Sequence, residues 1–472
     1  MRKRTRIVCT LGPATASASV MGKLLRHGMN VARLNLAHGT REGHALAVRN
    51  VRSMARRLGM DIAVMMDLPG PKYRIGRLEG GSVTLHRGDR VTLTVKDIVG
   101  DETLLPVNLP GLPHDVRVGH TVLLDDGALR LKVLQKSADE VRCRVVVGGV
   151  LTGGRGLVVP GMPASGPFVT PALREQIAFC VQQQPAYLAL SFVSSAADVT
   201  AVRDLLLEQG SSIPLVAKIE RVQAVRVFDS ILKVSDGIMV ARGDLGVDIP
   251  LEKVPLVQKE IIGKCNAAGK PVITATQMLE SMVNAARPTR AEVTDVANAI
   301  FDGTDAVMLS AETSIGRYPL AALKMMSRIA VETEKKLPFE LMLAERSSWI
   351  ERQTDELISY NACYTAAALG AKAIVAYTMS GSTAMRVSRY RPRVPVVGIT
   401  SDPLVSSRLL LYWGVYPVLM EKAPPSADAM FSAAVEQARR LGLARPGDLI
   451  VITGGLPVGT AGATNLLKVE KA

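Results

Sequence analysis

The chain lacks paired cysteines and long apolar runs. Its five cysteines are scattered singly, without a CxxC pair, so neither a disulfide framework nor a zinc site is indicated. No apolar run approaches the length that crosses a bilayer, and the basic start leads only into a short strand-like run, not the apolar stretch of a signal peptide. We therefore predict a cytoplasmic protein with no membrane segment.

Aromatic residues are also scarce, at 4% of the chain, although the net charge is +14. Proteins that bind single-stranded nucleic acid stack bases on aromatic side chains beside basic ones, and no such interleaved cluster is present. We expect no nucleic-acid partner. The charge instead fits a generally basic surface and small anions as ligands.

Alternating strand-like and helix-like runs organise most of the 472 residues, which are too many for one core. Three βα units precede a glycine- and proline-punctuated stretch of short alternating strands, and five follow it, so that eight units can close a (β/α)8 TIM barrel. A further βα pattern near the end predicts an open doubly wound sheet. The predicted segments are residues 1–70 (barrel, first part), 71–168 (inserted all-β lid), 169–345 (barrel, second part) and 346–472 (C-terminal α/β regulatory domain).

Charged side chains end two of the predicted barrel strands. Lys218 and Glu220 project to the same face because side chains alternate along a strand, and the next strand delivers Asp244. Two carboxylates suit a hard divalent cation, and an ammonium beside them suits the charge on a bound phosphate, so the pattern favours phosphoryl chemistry. A salt bridge among the three side chains is the alternative interpretation.

Eight segments resemble the pyruvate kinase family, in the family's order and over the whole chain. Shared order and spacing make chance a poor explanation, so we predict a phosphotransferase of glycolysis that converts phosphoenolpyruvate and ADP into pyruvate and ATP. The matching segments are CTLGP at 9–13, ARLNLAHG at 32–39, AKIE at 217–220, MVARGDLG at 239–246, TATQMLESM at 274–282, RPTRAE at 287–292, DVANAIFDG at 295–303 and MLSAET at 308–313.

The resemblance implies roles for the residues of these segments. Glu220 and Asp244 would bind the divalent cation, normally Mg²⁺ (or Mn²⁺), and Lys218 would lie beside the transferring phosphoryl group. Arg33 would contact the substrate phosphate. The remaining substrate contacts would come from Thr276 near the enolate carbon and from the backbone of Gly243 and Asp244.

The resemblance also implies residues for proton delivery and for nucleotide binding, and an alternative interpretation stays open for each. A relay through water that involves Thr276, Ser310 and Glu312 would protonate the enolate, unless Ser310 and Glu312 only cap the next helix.

Arg155 stands where the family usually has lysine, and an exposed arginine is its alternative interpretation. The nucleotide contacts that the resemblance implies are Asn35, Leu36, Ala37, His38, Arg74 and Arg155.

The monovalent-cation region departs from the potassium-dependent pattern. Asn35 and Asp67 are present, but Ala37 and Leu68 replace two oxygen donors, and Lys72 stands where a glutamate is expected. A tethered ammonium can supply the charge that potassium otherwise brings, so the chain resembles the potassium-independent branch and K⁺ is not expected to be required. A solvated hinge lysine is the alternative.

In the last domain, the segment from Thr378 to Thr383 follows a strand and opens a helix, and a second glycine-rich loop spans 453–465. Amides and hydroxyls so arranged can hold a phosphate, which indicates an allosteric site for a phosphorylated sugar or nucleotide, although each loop alone reads as an ordinary turn. The predicted effector residues are Thr378, Ser380, Gly381, Ser382 and Thr383.

Taken together, the resemblance implies an allosteric homotetrameric enzyme. Two other functions stay open at this point: a magnesium-dependent barrel lyase that acts on a keto acid, and a non-catalytic homologue that binds phosphometabolites. The inserted β domain argues against the lyase, which needs no nucleotide lid. The presence of Lys218, Arg33, Glu220, Asp244 and Thr276 together argues against a decayed enzyme.

Overall fold

Parallel strands and helices alternate from the amino terminus of the computed structural model, which describes residues 3–162, 166–457 and 464–472. Strands β1 and β3 are buried along their full length, as parallel strands covered on both faces should be. Helices α1 and α2 begin after Ser17 and Thr40, whose side chains accept hydrogen bonds from backbone amides of the first turn. These elements are β1 (Arg6–Thr10), α1 (Ala18–Arg26), β2 (Val31–Asn35), α2 (Arg41–Arg57) and β3 (Ala63–Leu68).

An all-β unit with its own apolar core follows the Pro69–Pro71 link. Strand β9 alternates buried and exposed residues, which places one face on that core and the other in solvent. Its sheet runs β4-β12-β8-β9-β10-β6-β7, and β5 pairs separately with β11. The elements are β4 (Tyr73–Arg74), β5 (Ser82–Leu85), β6 (Arg90–Thr94), β7 (Leu104–Pro106), α3 (Leu112–Asp115), β8 (Thr121–Leu124), β9 (Leu129–Lys136), β10 (Glu140–Val147), β11 (Gly149–Thr152) and β12 (Gly156–Val158).

The barrel is completed after this unit, which confirms the predicted (β/α)8 fold. Within the described ranges, eight parallel strands close in the order β1-β17-β16-β15-β14-β13-β3-β2. The later elements are α4 (Pro171–Gln183), β13 (Tyr187–Leu190), α5 (Ala196–Glu208), β14 (Leu215–Ile219), α6 (Val222–Arg226), α7 (Phe228–Val234), β15 (Gly237–Ala241), α8 (Arg242–Asp248), α9 (Val254–Ala267), β16 (Val272–Ala275), α10 (Arg290–Phe301), β17 (Ala306–Leu309), α11 (Ala311–Ser314) and α12 (Pro319–Glu334).

The C-terminal part forms an α/β sheet in the order β20-β19-β18-β21-β22, as far as the described residues show. The parallel strands confirm the predicted doubly wound sheet, whereas the antiparallel edge strand β22 was not predicted. The elements are α13 (Phe339–Glu345), α14 (Thr354–Ala368), β18 (Ala373–Tyr377), α15 (Ser382–Arg389), β19 (Val396–Thr400), α16 (Pro403–Leu409), β20 (Val415–Leu419), α17 (Ala427–Arg440), β21 (Leu449–Gly454) and β22 (Leu466–Lys471).

A group of buried charged side chains joins this C-terminal part to the end of the barrel at which the strands begin. Arg391 donates from Nη1 to Asp305 Oδ1 at 2.6 Å, and Arg6 donates from Nε to the Tyr412 carbonyl at 2.8 Å. Glu334 accepts the backbone amides of residues 4 and 5. We call this group the base cluster, formed by Arg4, Arg6, Asp305, Glu334 and Arg391.

No helix in the described part of the chain is both long enough and apolar enough to cross a bilayer.

Candidate active site

A pocket of about 1020 Å³ opens at the carboxyl ends of the barrel strands, beneath the first residues of the β unit. This is the end of a (β/α)8 barrel at which catalytic residues are found. Asp67 lies under its floor and Gly243 beside Thr276, whereas Arg155 and Glu312 do not line it. The predicted residues that line it are Arg33, Asn35, Leu36, Ala37, His38, Lys72, Arg74, Lys218, Glu220, Asp244, Thr276 and Ser310.

Lys218 is buried at the centre of the charged groups. Its Nζ lies 2.9 Å from Glu220 Oε1 and 3.4 Å from Asp67 Oδ1, and it donates to Ser191 Oγ at 2.7 Å. Burial alone would lower the pKa of this ammonium, but Asp67 and Glu220 outweigh burial and raise it. The side chain therefore carries its positive charge throughout the neutral range.

Arg33 and Asp67 form a second buried pair below Lys218. Nε and Nη2 of Arg33 both lie 2.7 Å from Asp67 Oδ2, and Nη1 donates to Thr10 Oγ1 at 2.9 Å. Burial opposes ionisation of Asp67, but Lys218 and Arg33 outweigh it and lower the pKa of the carboxyl group. Asp67 is thus a fixed anion that holds two cations in place.

The two carboxylates predicted to bind metal have different partners. Glu220 Oε2 accepts the Phe192 amide at 2.6 Å, and burial, with Asp244 as a like charge, raises the pKa of Glu220. Asp244 Oδ1 lies 2.6 Å from Lys72 Nζ, and this ammonium outweighs burial and lowers the pKa of Asp244. We call these six residues the mouth cluster: Arg33, Asp67, Lys72, Lys218, Glu220 and Asp244.

Glu220 and Asp244 fit a divalent cation. Asp244 is a like charge that raises the pKa of Glu220, and a bound dication would relieve that repulsion. The described residues contain no cluster of three or more metal-binding side chains. Two carboxylates with the other positions left to water and substrate oxygen is the donor set that Mg²⁺ prefers.

Thr276 follows β16 with its backbone in the left-handed region, at φ 68°. Its Oγ1 accepts the Gly243 amide at 2.8 Å and donates to the Ala275 carbonyl at 2.6 Å. Non-glycine residues rarely adopt this conformation, and such strain collects at functional sites. The hydroxyl is thereby fixed at the pocket wall beside Gly243.

Ser310 and Glu312 separate into two roles. Ser310 lines the pocket, and its buried Oγ has no hydrogen-bond partner among the described residues. Glu312 is fully buried, and its carboxylate accepts the amides of Ser310 at 2.7 Å and Leu279 at 3.1 Å. Glu312 therefore braces the backbone behind Ser310, while the Ser310 hydroxyl does not cap the helix.

Most of the predicted nucleotide contacts line the pocket, but Arg155 does not. Asn35 Oδ1 accepts the Ala37 amide at 3.3 Å, which folds this segment along the pocket rim. Arg74 Nη1 donates to the Gly154 carbonyl at 3.0 Å while the residue still lines the pocket. Arg155, outside the pocket lining, lies 3.3 Å from Asp125 and is half exposed.

Lys72 does not contact the predicted monovalent-cation oxygens. In the described part of the chain its ammonium contacts Asp244 and lies over the Phe192 ring, and it forms no hydrogen bond or ion pair with Asn35 or Asp67. The reason is that Arg33 and Lys218 already occupy Asp67. Leu68 is buried and offers no side-chain oxygen.

The predicted effector residues lie between β18 and α15. Gly381 has φ 93°, Ser380 Oγ donates to Ser382 Oγ at 3.1 Å, and Thr383 Oγ1 lies 2.8 Å from Thr464 Oγ1. The buried Thr378 hydroxyl has no partner among the described residues. Residues 458–463 of the second predicted loop lie outside the described residues.

Three residues of the site were not predicted from the sequence, namely Thr10, Ser191 and Phe192. Thr10 ends β1, and the other two follow β13 directly, so the rule that barrel sites form at strand ends would have found them. The side-chain types carried no signal, because hydroxyls and a phenyl ring are common anywhere in a barrel.

Two family models match the chain. The model described as pyruvate kinase, barrel domain, matches residues 2–323, and that described as pyruvate kinase, alpha/beta domain, matches residues 356–470. The chain belongs to the pyruvate kinase family. The resemblance stated from the sequence motifs is thereby confirmed.

Known pyruvate kinases are similar to this chain over all or nearly all of its residues. The enzyme of Geobacillus stearothermophilus is 45% identical over 475 residues, which cover 100% of this chain and 80% of the relative. That of Bacillus licheniformis is 45% identical over 470 residues, covering 99% and 80%. The crystal structure of a pyruvate kinase from Cryptosporidium parvum superimposes with a TM-score of 0.94 at 36% identity, covering 99% of this chain and 96% of that one.

These findings establish the reaction. The chain is a phosphotransferase of glycolysis that transfers the phosphoryl group of phosphoenolpyruvate to ADP, giving pyruvate and ATP. Pyruvate kinases require a divalent metal, and the same requirement holds here. Neither the keto-acid lyase nor the non-catalytic homologue is supported.

Proposed function

We propose that the mouth cluster carries out this phosphoryl transfer, with Lys218 as the catalytic cation and Glu220 and Asp244 as the ligands of Mg²⁺. The observation that carries the proposal is the position of Lys218 Nζ, within 3.4 Å of Asp67 and 2.9 Å of Glu220 on the pocket floor. The ammonium is held in advance, so it needs no reorganisation when charge develops on the phosphoryl oxygens.

A divalent cation held by Glu220 and Asp244 would neutralise negative charge on the substrate. The chain's own residues do the remaining work. Arg33, fixed by Asp67 and Thr10, presents its guanidinium to the phosphate, and the strained Thr276 holds its hydroxyl near the enolate carbon beside the Gly243 and Asp244 backbone. Asn35 to His38 and Arg74 line the rim where ADP enters, and Arg155 reaches the nucleotide only if the β unit moves toward the barrel.

Lys218→Met tests the catalytic role. We expect a loss of roughly 10³–10⁵-fold in kcat, the range caused by removal of a comparable transition-state cation, with phosphoenolpyruvate still bound through Arg33. Steady-state pyruvate formation measures it. A Met variant within tenfold of wild type in turnover would remove Lys218 from the reaction.

The enolate must also receive a proton. The unpartnered Ser310 hydroxyl and the Thr276 hydroxyl, both on the pocket wall, support a relay through water in which Glu312 only braces Ser310. Ser310→Ala should slow the exchange of solvent hydrogen into the methyl group of pyruvate more than it slows phosphoryl transfer. Equal slowing of both steps argues against the relay.

Independence from K⁺ forms part of the proposal. The alanine and leucine at positions 37 and 68 provide no side-chain oxygen, and Asp67 is already occupied by Arg33 and Lys218. Lys72 adds a fixed positive charge to the same pocket. These features support a site that needs no monovalent cation, with Lys72 as its substitute.

Replacement of Lys72 by Met, assayed in a buffer free of Na⁺ and K⁺, tests whether the Lys72 ammonium takes the place of K⁺. Wild type should show full activity without added K⁺, because its ammonium is built in, whereas Lys72→Met should lose activity. Added K⁺ should restore only a small part of it, because Ala37 and Leu68 offer no side-chain oxygen to the ion. Strong stimulation of wild type by K⁺ would contradict the proposal.

The loop between β18 and α15 supports regulation by a phosphorylated sugar or nucleotide. Ser380, Ser382 and the left-handed Gly381 turn group hydroxyls and amides at the start of α15, and the Thr378 hydroxyl is buried without a partner. A screen of phosphate esters should find one that shifts half-saturation by phosphoenolpyruvate, and Ser382→Asp should abolish that shift by charge repulsion. A screen in which none shifts it leaves the loop purely structural.

The remaining finer predictions belong to the same proposal. The segment bounds 1–70, 71–168, 169–345 and 346–472 rest on the pattern of strand-like and helix-like runs, and the cytoplasmic location rests on the lack of long apolar runs. The homotetrameric assembly is the expectation that the family implies. Sedimentation of the purified protein tests the assembly, and a dimeric or monomeric active species would contradict it.

A further inference from the structure

Phe192 has an unusual backbone in the turn that follows β13. Its φ is 58°, in the left-handed region, although it is not glycine. In this conformation its amide donates to Glu220 Oε2 at 2.6 Å. Strain of this kind persists where the surrounding structure enforces it, and it is concentrated at functional sites. The backbone of Phe192 is thus committed to Glu220.

The ring of Phe192 contacts two cations that come from different parts of the chain. Lys72 Nζ lies 5.1 Å from the ring centroid, and Arg221 Cζ lies 5.2 Å from it. Both distances are within the range in which the ring quadrupole attracts a cation. Because the Lys72 side chain is only 11% exposed, water does little to weaken that attraction.

Arg221 anchors the ring. Its side chain is buried, and Nη1 lies 3.7 Å from Asp248 Oδ1. Asp248 is itself fixed, because it accepts the amides of Val222 at 2.6 Å and Gly161 at 3.0 Å. The ring therefore lies beside a buried, ion-paired guanidinium on the barrel.

Lys72, by contrast, enters from the link to the β unit. The link packs closely on the Phe192 turn, since a Cβ at Gly70 would lie 2.0 Å from the Ser191 carbonyl oxygen and 3.2 Å from Phe192 Cβ. Apart from the ring, the described partner of the Lys72 ammonium is Asp244. The position of Lys72 thus depends on one carboxylate and one aromatic ring.

The two partners of Lys72 differ in how they respond to a divalent cation. A carboxylate that binds metal no longer offers its full charge to an ammonium. A phenyl ring is neutral and is not a ligand for hard cations such as Mg²⁺, so its attraction for the ammonium persists when Asp244 is engaged. A ring can therefore hold an ammonium beside a metal without competing for the metal.

We propose that Phe192 is a positioning residue whose ring holds the Lys72 ammonium in the pocket, where it supplies the monovalent positive charge of the site. The inference rests on the proposed independence from K⁺. It divides Phe192 into two parts: the amide orients Glu220, and the ring positions Lys72.

Phe192→Leu tests the ring, because leucine keeps apolar bulk and removes the quadrupole, and Phe192→Tyr restores the ring. Turnover is measured at constant ionic strength in tetramethylammonium chloride with and without KCl. We expect Phe192→Leu to lose about fivefold to thirtyfold in kcat without K⁺ and to regain part of it with K⁺. Phe192→Tyr should behave as wild type, without stimulation.

Binding of Mn²⁺ to the substrate-free protein, followed by electron paramagnetic resonance, provides a readout independent of activity. Because the amide at position 192 is unchanged, Phe192→Leu should bind Mn²⁺ within about threefold of wild type. If Phe192→Leu loses much more Mn²⁺ affinity than this and K⁺ does not restore its turnover, the ring only supports the metal site. That result would overturn the proposal.

Phe228→Leu is a matched control, since Lys264 Nζ lies 5.8 Å from the Phe228 ring centroid and neither residue lines the pocket. It should lower the thermal midpoint without any response to K⁺. If K⁺ stimulates Lys72→Met but not Phe192→Leu, the proposed role of Phe192 is contradicted and that of Lys72 is retained. If K⁺ strongly stimulates wild type itself, both proposed roles are contradicted.

Discussion

The two ends of the barrel both bury groups of opposite charge, but they use these groups differently. In the base cluster, the carboxylates accept backbone amides as well as guanidinium groups: Glu334 accepts two amides, and Asp305 accepts the Val272 and Trp413 amides beside Arg391. In the mouth cluster, the charged side chains contact mainly one another and line a pocket. The carboxylates of the base are thus held by backbone amides and guanidinium groups of the protein, whereas most residues of the mouth cluster border an open pocket.

One strand shows the contrast most clearly. Asp305 precedes β17 at the base, and Ser310 follows β17 at the mouth. Asp305 has protein partners on both oxygens, whereas the buried Ser310 hydroxyl has none among the described residues. A buried polar group without a partner costs free energy, which a bound water or ligand can relieve. The difference is consistent with the proposal that phosphoryl transfer takes place at the mouth, while Asp305 and Arg391 join the C-terminal part to the barrel at the base.

Removal of Arg391 is expected to destabilise the base cluster most. Arg391→Met leaves Asp305 buried with its ion pair lost, and breaking such a pair costs about 3–5 kcal/mol. We expect a large fall in the thermal midpoint but near-normal turnover below the transition, because the mouth is untouched. Differential scanning calorimetry and the pyruvate assay measure the two effects.

Arg393→Met is the control for that change, since Arg393 pairs with Glu340 at 3.0 Å on the surface. An exposed pair contributes about 0–1 kcal/mol, so its loss should barely move the midpoint. Equal shifts for the two variants, or a collapse of turnover in Arg391→Met alone, would contradict the assignment of the base to stability.

A pH-dependent effect is expected from Lys3, near the base. Burial, and then Arg6, lowers the pKa of Lys3 to about 7 from 10.5. The folded protein therefore releases this proton at lower pH than the unfolded chain, so the charge destabilises the fold fully below pH 7, and the penalty declines as pH rises to 10.5. Lys3→Met should raise the midpoint more at about pH 6 than at about pH 9.5. A gain independent of pH would point to packing instead of charge.

The barrel and the mouth were largely predictable from the sequence because their signals are local. A buried parallel strand is a short apolar run, and Lys218, Glu220 and Asp244 interrupt two such runs at their ends. Strand β22 was missed because it is a half-buried edge strand beside a glycine-rich loop.

The base cluster and the Lys72 contacts could not be predicted in this way. Arg391 and Asp305 are 86 residues apart, and Lys72 and Asp244 are 172 apart, so nothing in the local sequence signals that they meet. The sequence placed Lys72 with Asn35 and Asp67, and it could not show that Arg33 and Lys218 already occupy Asp67. Phe192 read as the end of a strand, and only its left-handed backbone reveals the turn.

Two fully buried glutamates, Glu220 at the mouth and Glu334 at the base, allow the most direct test of the central claim. Titration of Mn²⁺ into substrate-free protein, followed by electron paramagnetic resonance, should show Glu334→Gln binding as wild type does. Glu220→Gln should bind Mn²⁺ at least roughly 10- to 100-fold more weakly than wild type, because the loss of a residue that only supports a metal ligand already costs that much affinity. Wild-type affinity in Glu220→Gln would contradict the assignment of the mouth cluster as the metal and phosphoryl-transfer site.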